Sequence, residues 1–127
     1  MNLKEYFDSV SGHGVLATAD ANGLVDIAVY ATPHIMDDGT VAFIMPDRLT
    51  HHNLQTNPHA AYLFMESGEK PAGRRMFLTK VREEKDSELL YSIRRKSYGR
   101  DDTARYLVFF TVDKMLPLIG AGDETEP

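Results

Sequence analysis

The chain contains no cysteine and no tryptophan, and its 14 basic residues are outnumbered by 19 acidic ones. Without cysteine, a disulfide scaffold, a thiolate zinc site and a thiol nucleophile are all excluded. A net charge of −5 argues against general nucleic-acid binding, which relies on a basic surface to displace phosphate counterions. No apolar run has the length of a membrane span or a signal-peptide core, and the opening MNLKEYFDSV is charged within its first five residues. These absences lead to the expectation of a soluble cytoplasmic protein with a small-molecule partner, binding neither nucleic acid nor membrane. Phosphate sockets of the G-x-x-x-x-G-K-[ST] and G-x-G-x-x-G kinds are missing too, which removes the usual seats for triphosphates and dinucleotides but leaves room for a mononucleotide. There is no G-x-S-x-G elbow, and the Ser11 to Gly14 stretch, with Ser11 near His13, reads as a loop leading into a strand.

What is present patterns as one domain spanning residues 1–127, a length sufficient to bury a core without staples. Asn2 and Glu5 have capping-box spacing, and Leu3, Tyr6, Phe7 and Val10 recur at helical intervals, predicting a helix that lids one end of the fold. GVLATA and LVDIAVYA flank Asn22-Gly23, which predicts a hairpin with a tight two-residue turn. YATPHIM and TVAFIM flank Asp37-Asp38-Gly39 as a second hairpin, with Pro33 at an edge or bend. HAAYLFM and RRMFLTKV read as strands joined by the polar loop SGEKPAG, and RYLVFFTVDKMLPLIG reads as a last long strand. Between them, EKDSELLYSIRRKSYG carries helix signals: Asp86 or Ser87 as cap, a Leu89, Leu90 and Ile93 stripe, then basic residues before Gly99. GDETEP reads as a frayed acidic tail. Strands arriving as hairpins favour a mainly β antiparallel barrel with about three helices over a parallel sheet, which needs a helix between nearly every strand pair.

The stretch PDRLTHHNLQTNPHAAYLF concentrates the candidate chemistry. His51 and His52, adjacent on a helix, point about 100° apart and cannot chelate one ion as an i, i+4 pair does; no metal site is expected. An anion fits better. A strand ends near Pro46, and Asp47 or Thr50 can cap a short helix running to about Asn57. Free amides, Arg48 and the Thr50 hydroxyl then converge where the helix dipole favours negative charge. The alternative is that Thr50 caps and Arg48 pairs with Asp47.

NLQTNPHAAYLF is similar to a pattern of an Asn-Leu pair, an Asn-Pro pair and an apolar strand, and LATADANGLVDIAVYATP resembles a first hairpin, both as found in pyridoxamine 5'-phosphate oxidase-like FMN-binding split β-barrels. The resemblance covers roughly residues 12 to 113 and is greatest to the small FMN-binding proteins of that family. It implies a six-stranded antiparallel split β-barrel that forms a homodimer with FMN between subunits. The isoalloxazine would lie along Ala28, Val29, Tyr30 and Ala31 and the adjacent Phe43, Ile44 and Met45, with the phosphate at Arg48, Leu49 and Thr50. The full oxidases carry arginine where Ala28 stands and an Arg-Lys pair where Leu49-Thr50 stands. Arg48, His51 or His52, and Arg74 or Arg75 are the candidate substitutes. The C-terminal segment bearing the oxidases' substrate-binding Arg and His has no counterpart, so pyridoxamine 5'-phosphate oxidation itself is not expected. The implied function is an FMN-dependent oxidoreductase or flavin reductase acting on a small substrate. The alternatives are a non-catalytic FMN-binding electron carrier, or a split-barrel ligand-binding or interaction module without flavin.

Overall fold

A computed structural model of the chain describes residues 2–96 and 104–120. In chain order the elements are α1 (Leu3–Ser9), β1 (Gly12–Ala19), β2 (Val25–Val29), β3 (His34–Ile35), β4 (Val41–Pro46), α2 (Leu49–Thr56), β5 (His59–Glu66), β6 (Gly73–Lys85), α3 (Glu88–Lys96) and β7 (Ala104–Pro117). All seven strands belong to one sheet in the order β2-β1-β5-β6-β7-β4-β3, and every neighbouring pair is antiparallel. The strand beyond the expected six is the two-residue β3. The expected helix end at Gly99 and the acidic tail GDETEP lie outside the described residues.

The sheet curls until its two halves face each other. Phe43 of β4 meets Tyr62 of β5, three places away in strand order, at a ring separation of 5.0 Å. Leu16, Phe43, Met45, Tyr62, Phe64, Met76, Leu78, Val108 and Phe110 fill the interior. They come from strands that alternate inward and outward, as β1 does with Gly14, Leu16 and Thr18 buried in turn. On the opposite face of β4 and β7, Ala42, Leu107 and Phe109 form a smaller core with Leu90 of α3. β4 is thus apolar on both sides, which explains its unbroken apolar run.

α1 closes one end. Asn2 accepts from the Glu5 amide at 2.8 Å, so it caps α1 as expected, while the Glu5 carboxylate accepts from the Asn2 side-chain amide at 3.1 Å rather than from its backbone N–H. Tyr6 and Phe7 are buried against Phe64. The Tyr6 hydroxyl donates to Glu66 at 2.6 Å, and burial followed by this bond pushes the phenol up to about 12. α3 starts as expected from Ser87, whose hydroxyl accepts from the Leu90 amide at 3.1 Å.

The first hairpin differs from the two-residue turn expected of it. Asp20 N–H bonds the Leu24 carbonyl and Gly23 N–H bonds the Asp20 carbonyl, both at 3.0 Å, leaving a three-residue loop with Gly23 at φ 85°. The Asp20 carboxylate decides this, since it accepts from the Asn22 and Leu24 amides at 2.9 Å and holds the wider turn. The second hairpin repeats the device, with Met36 bonded to Thr40, Gly39 at φ 88° and Asp38 accepting from Thr40.

Candidate functional site

β4 ends at Pro46, where its register against β7 shifts. Arg48 then adopts an extended conformation, φ −138° and ψ −168°, and becomes the N-cap of α2 with no side-chain capping bond. Neither Asp47 nor Thr50, the expected caps, plays that part. The first intrahelical bond runs from the His52 amide to the Arg48 carbonyl at 2.9 Å, so the N-cap falls one residue after Asp47 and Thr50 already lies within the helix. The amides of Leu49, Thr50 and His51 therefore have no intrahelical acceptor. Arg48 is exposed, and among the described residues it makes no ion pair with Asp47. Thr50 is 5 % exposed, and its hydroxyl bonds no described residue. An exposed guanidinium, three free amides and the positive end of the dipole thus share one place.

The strands assigned to the flavin ring lie at the seam of the barrel. Tyr30 N–H donates to the Gly14 carbonyl and Asp20 N–H to the Leu24 carbonyl. By antiparallel alternation the Ala28 and Asp26 backbone groups also face β1, whereas those of Val25, Ile27 and Val29 face the open edge. Tyr30 has spent its amide on β1. The Tyr30 and Ala31 carbonyls accept from the Tyr62 hydroxyl at 3.2 and 3.1 Å. In β4 the Met36–Thr40 bond sets the Ala42 backbone groups toward β3. Those of Ile44 point the same way, past the end of the two-residue β3, and are open. Phe43 and Met45 direct their side chains into the core, and Ile44 packs on the α3 side. Tyr30 and Phe43 meet edge to face at 6.0 Å, which brings the two strands together.

His51 is buried. Its ring stacks on Tyr106 of β7 at 3.6 Å, and Nε2 lies 3.0 Å from Glu83 of β6. Gln55 donates to the same carboxylate at 3.1 Å and to the His51 carbonyl at 3.0 Å. Lys80 donates to it at 2.7 Å. Burial alone would raise the Glu83 carboxyl, but the bonds from Lys80, Gln55 and His51 outweigh it and hold the group at about 2. His51 Nδ1 has Asp47 at 4.0 Å. His52 is exposed.

Arg74 is not brought to this place within one chain. Its guanidinium lies 4.1 Å over the Tyr6 ring under α1, at the other end of β6 from Glu83, a separation of roughly 25–30 Å along a strand of ordinary rise. Arg75 is likewise tied at that end, to the Pro117 and Gly120 carbonyls. The substitution of these arginines for the missing cations fails in one chain because strand direction carries them away from α2. Glu83, Gln55, Tyr106 and Tyr62 were not foreseen. Alternation in HAAYLFM marks Tyr62 as inward, and Gln55 stands one helical turn after His51 on α2, but Glu83 and Tyr106 meet His51 only through long-range strand pairing. Among the described residues no group of three or more His, Asp or Glu side chains could hold a metal ion, and no helix is long and apolar enough to cross a membrane.

No protein-family model and no curated protein matches the chain. Solved structures do. HupZ from Group A Streptococcus superposes with a TM-score of 0.77 at 19 % identity, covering 100 % of both chains. An FMN-binding protein from Syntrophomonas wolfei gives 0.73 at 20 % identity, over 90 % of this chain and 82 % of that one. HutZ, a heme storage protein from Vibrio cholerae, gives 0.67 at 16 % identity, over 90 % of each. The chain has the pyridoxamine 5'-phosphate oxidase-like split-barrel fold. These structures include both flavin-binding and haem-storing proteins.

Proposed function

We propose that the protein binds FMN and acts as a flavin-dependent oxidoreductase or flavin reductase on a small substrate. The observation that carries this reading is the N-terminus of α2, where Arg48 and three free amides meet without a counter-anion bonded to them. The phosphate would be held by Arg48 and the amides of Leu49, Thr50 and His51. The open backbone groups of Val29 and Ile44 would serve the polar edge of the ring. The FMN-binding neighbour of the same fold supports the assignment. When bound, the flavin supplies the electron or hydride transfer, and the chain's own residues orient it and limit its access to water.

The functional unit in this reading is a homodimer. Val25, Ile27 and Val29 of edge strand β2 are 71–81 % exposed. By register the same outer face continues through Val15 and Ala17 to Leu63 and Ala61 and then Phe77. An apolar face beside an unpaired strand edge calls for cover, and a second copy supplies a matching one.

A non-catalytic electron carrier is the second reading. It is favoured by the engagement of Tyr30 and Tyr62 in the core: burial pushes the Tyr62 phenol well up, away from service as a proton donor.

Titration with FMN, followed by absorption, tests the proposal. A bound-flavin spectrum is expected, and Arg48→Ala should weaken FMN binding about tenfold while leaving riboflavin binding unchanged. Absence of flavin uptake with FMN in excess, or a Soret band with added haem instead, would overturn it. Steady turnover of NAD(P)H separates the enzyme from the carrier.

A further inference from the structure

The chain has four asparagines, and the fold leaves one of them open to attack by its own backbone. An asparagine carboxamide is lost when the amide nitrogen of the next residue closes on Cγ in a five-membered ring, which requires a following N–H, an unhindered approach and a carboxamide free to turn. Asn57 precedes Pro58, which has no N–H to close with. Asn53 is 2 % exposed, lies inside α2 and donates to the Thr18 hydroxyl at 3.1 Å. The Asn2 carboxamide is engaged at both its polar atoms, accepting from the Glu5 amide and donating to the Glu5 carboxylate, and the bulky Leu3 follows it. Asn22 has none of these restraints. It is exposed at the tip of the β1–β2 hairpin, its carboxamide bonds no described residue, and Gly23 follows.

At Gly23 the approach is clear. Glycine has no side chain to shield its nitrogen, and a Cβ at this position would have no heavy atom within 4 Å apart from its chain neighbours. One bond stands in the way: the Gly23 N–H donates to the Asp20 carbonyl at 3.0 Å. The nitrogen reacts only after that bond opens, and the Asp20 carboxylate, accepting from the Asn22 and Leu24 amides at 2.9 Å, keeps the loop closed. The turn is both the site of the reaction and its brake.

We propose that Asn22 is a site of spontaneous deamidation through a cyclic imide with Gly23, gated by the Asp20 carboxylate, and that the product loosens edge strand β2. The Gly23 nitrogen, having given its proton to solvent hydroxide, bonds to Asn22 Cγ, and the Cγ–Nδ2 bond breaks to release ammonia. Water then opens the imide at either carbonyl, leaving aspartate or isoaspartate at position 22. The net exchange is one water in and one ammonia out, with no oxidation or reduction. The product sets a new carboxylate close to that of Asp20, and the isoaspartyl form also lengthens the backbone by one carbon. The turn sets the register of a hairpin, so both changes act on β2, which pairs with β1 alone.

The test is to hold the purified chain in mildly alkaline buffer at physiological temperature and digest samples with trypsin. One product, residues 5–48, contains Asn22 and no other asparagine or glutamine. It should gain the mass difference between a hydroxyl and an amino group, in a fraction that grows with time and with hydroxide concentration. The product spanning residues 49–74, which carries Asn53, Gln55 and Asn57, should stay unchanged. Asn22→Ser keeps a turn-forming side chain and should abolish the gain. Asp20→Ala removes two hydrogen bonds from the loop and should speed the gain about tenfold. In the deamidated fraction, separated by its added negative charge, the Asp26, Ala28 and Tyr30 amides should exchange hydrogen about tenfold faster than in fresh protein while those of β6 keep their rates. A 5–48 peptide that gains no mass in the time the urea-unfolded chain converts fully overturns the site. An Asp20→Ala rate equal to the parent's overturns the gate, and unchanged exchange in β2 overturns its loosening. None of these outcomes depends on flavin binding.

Discussion

Replacing Gly14 by alanine tests whether the barrel is sealed where the structure places its seam. A methyl group at Gly14 would lie 1.9 Å from the Tyr62 hydroxyl oxygen, 2.4 Å from the ring carbon bearing it and 2.6 Å from the Tyr30 carbonyl oxygen. In an ordinary strand the change would help, because glycine costs roughly 0.5–1 kcal/mol there relative to alanine. Here the nearest atoms cannot retreat: Tyr62 is 1 % exposed, its hydroxyl is bonded to two carbonyls, and the third atom is backbone. Overpacking of this kind costs about 1–3 kcal/mol or more, and the loss of the Tyr62 bonds adds about 1–2. A net loss of about 3 kcal/mol follows. For a chain of this length each kcal/mol moves the midpoint by about 4 °C, so thermal unfolding followed by circular dichroism should show a drop of roughly 10 °C. Tyr62→Phe removes the closest atom, so the double variant Gly14→Ala, Tyr62→Phe should lose less than the sum of the two singles. A Gly14→Ala protein as stable as the parent, or additive losses, would mean that Tyr62 does not close the seam over Gly14.

Three other consequences can be measured. Glu83 is ionised more readily in the folded chain than in the unfolded one, so it contributes stability above the ordinary carboxyl range that is lost as pH falls from about 4.5 toward about 2. Unfolding free energies from denaturant titration should fall across that window by about 3 kcal/mol in the parent, and a Glu83→Gln free energy that falls equally would contradict the assignment. Ile27→Lys, on the exposed face of β2, should leave thermal stability within about 0.5 kcal/mol of the parent while shifting sedimentation from dimer to monomer; an unchanged sedimentation coefficient argues against that face as the interface. Ser87→Ala removes the hydroxyl that caps α3 and should cost about 1 kcal/mol, read from urea unfolding.

Much of the local structure was legible because it depends on neighbours in sequence. Asn2 with Glu5, Ser87 before the Leu90 stripe, and the glycines at positions 23 and 39 act within four residues, and their caps and turns form where the sequence places them. Turn type was harder: Asn22-Gly23 suits a two-residue turn, but the Asp20 carboxylate stabilises a wider one at similar range, and composition alone does not rank the two. At α2 the sequence pointed to a short helix in the right segment and to the wrong caps, since the backbone of Arg48 rather than any side chain starts the helix.

Alternation in β1 and β5 determined which side chains turn inward, because side-chain period is a property of the strand itself. It could not determine the order β2-β1-β5-β6-β7-β4-β3, which depends on how a twisted sheet closes. Everything that gives the candidate site its character follows from that closure. Tyr62 reaches the Tyr30 carbonyl across 32 residues, His51 reaches Glu83 across another 32, and Arg74 is carried to the end of the barrel opposite α2. By itself the sequence determined a β-rich chain with a short helix after the strand that ends near Pro46. Only the tertiary structure decided that the His51 imidazole of that helix is buried against Glu83 and Tyr106, because these two arrive on strands distant along the chain.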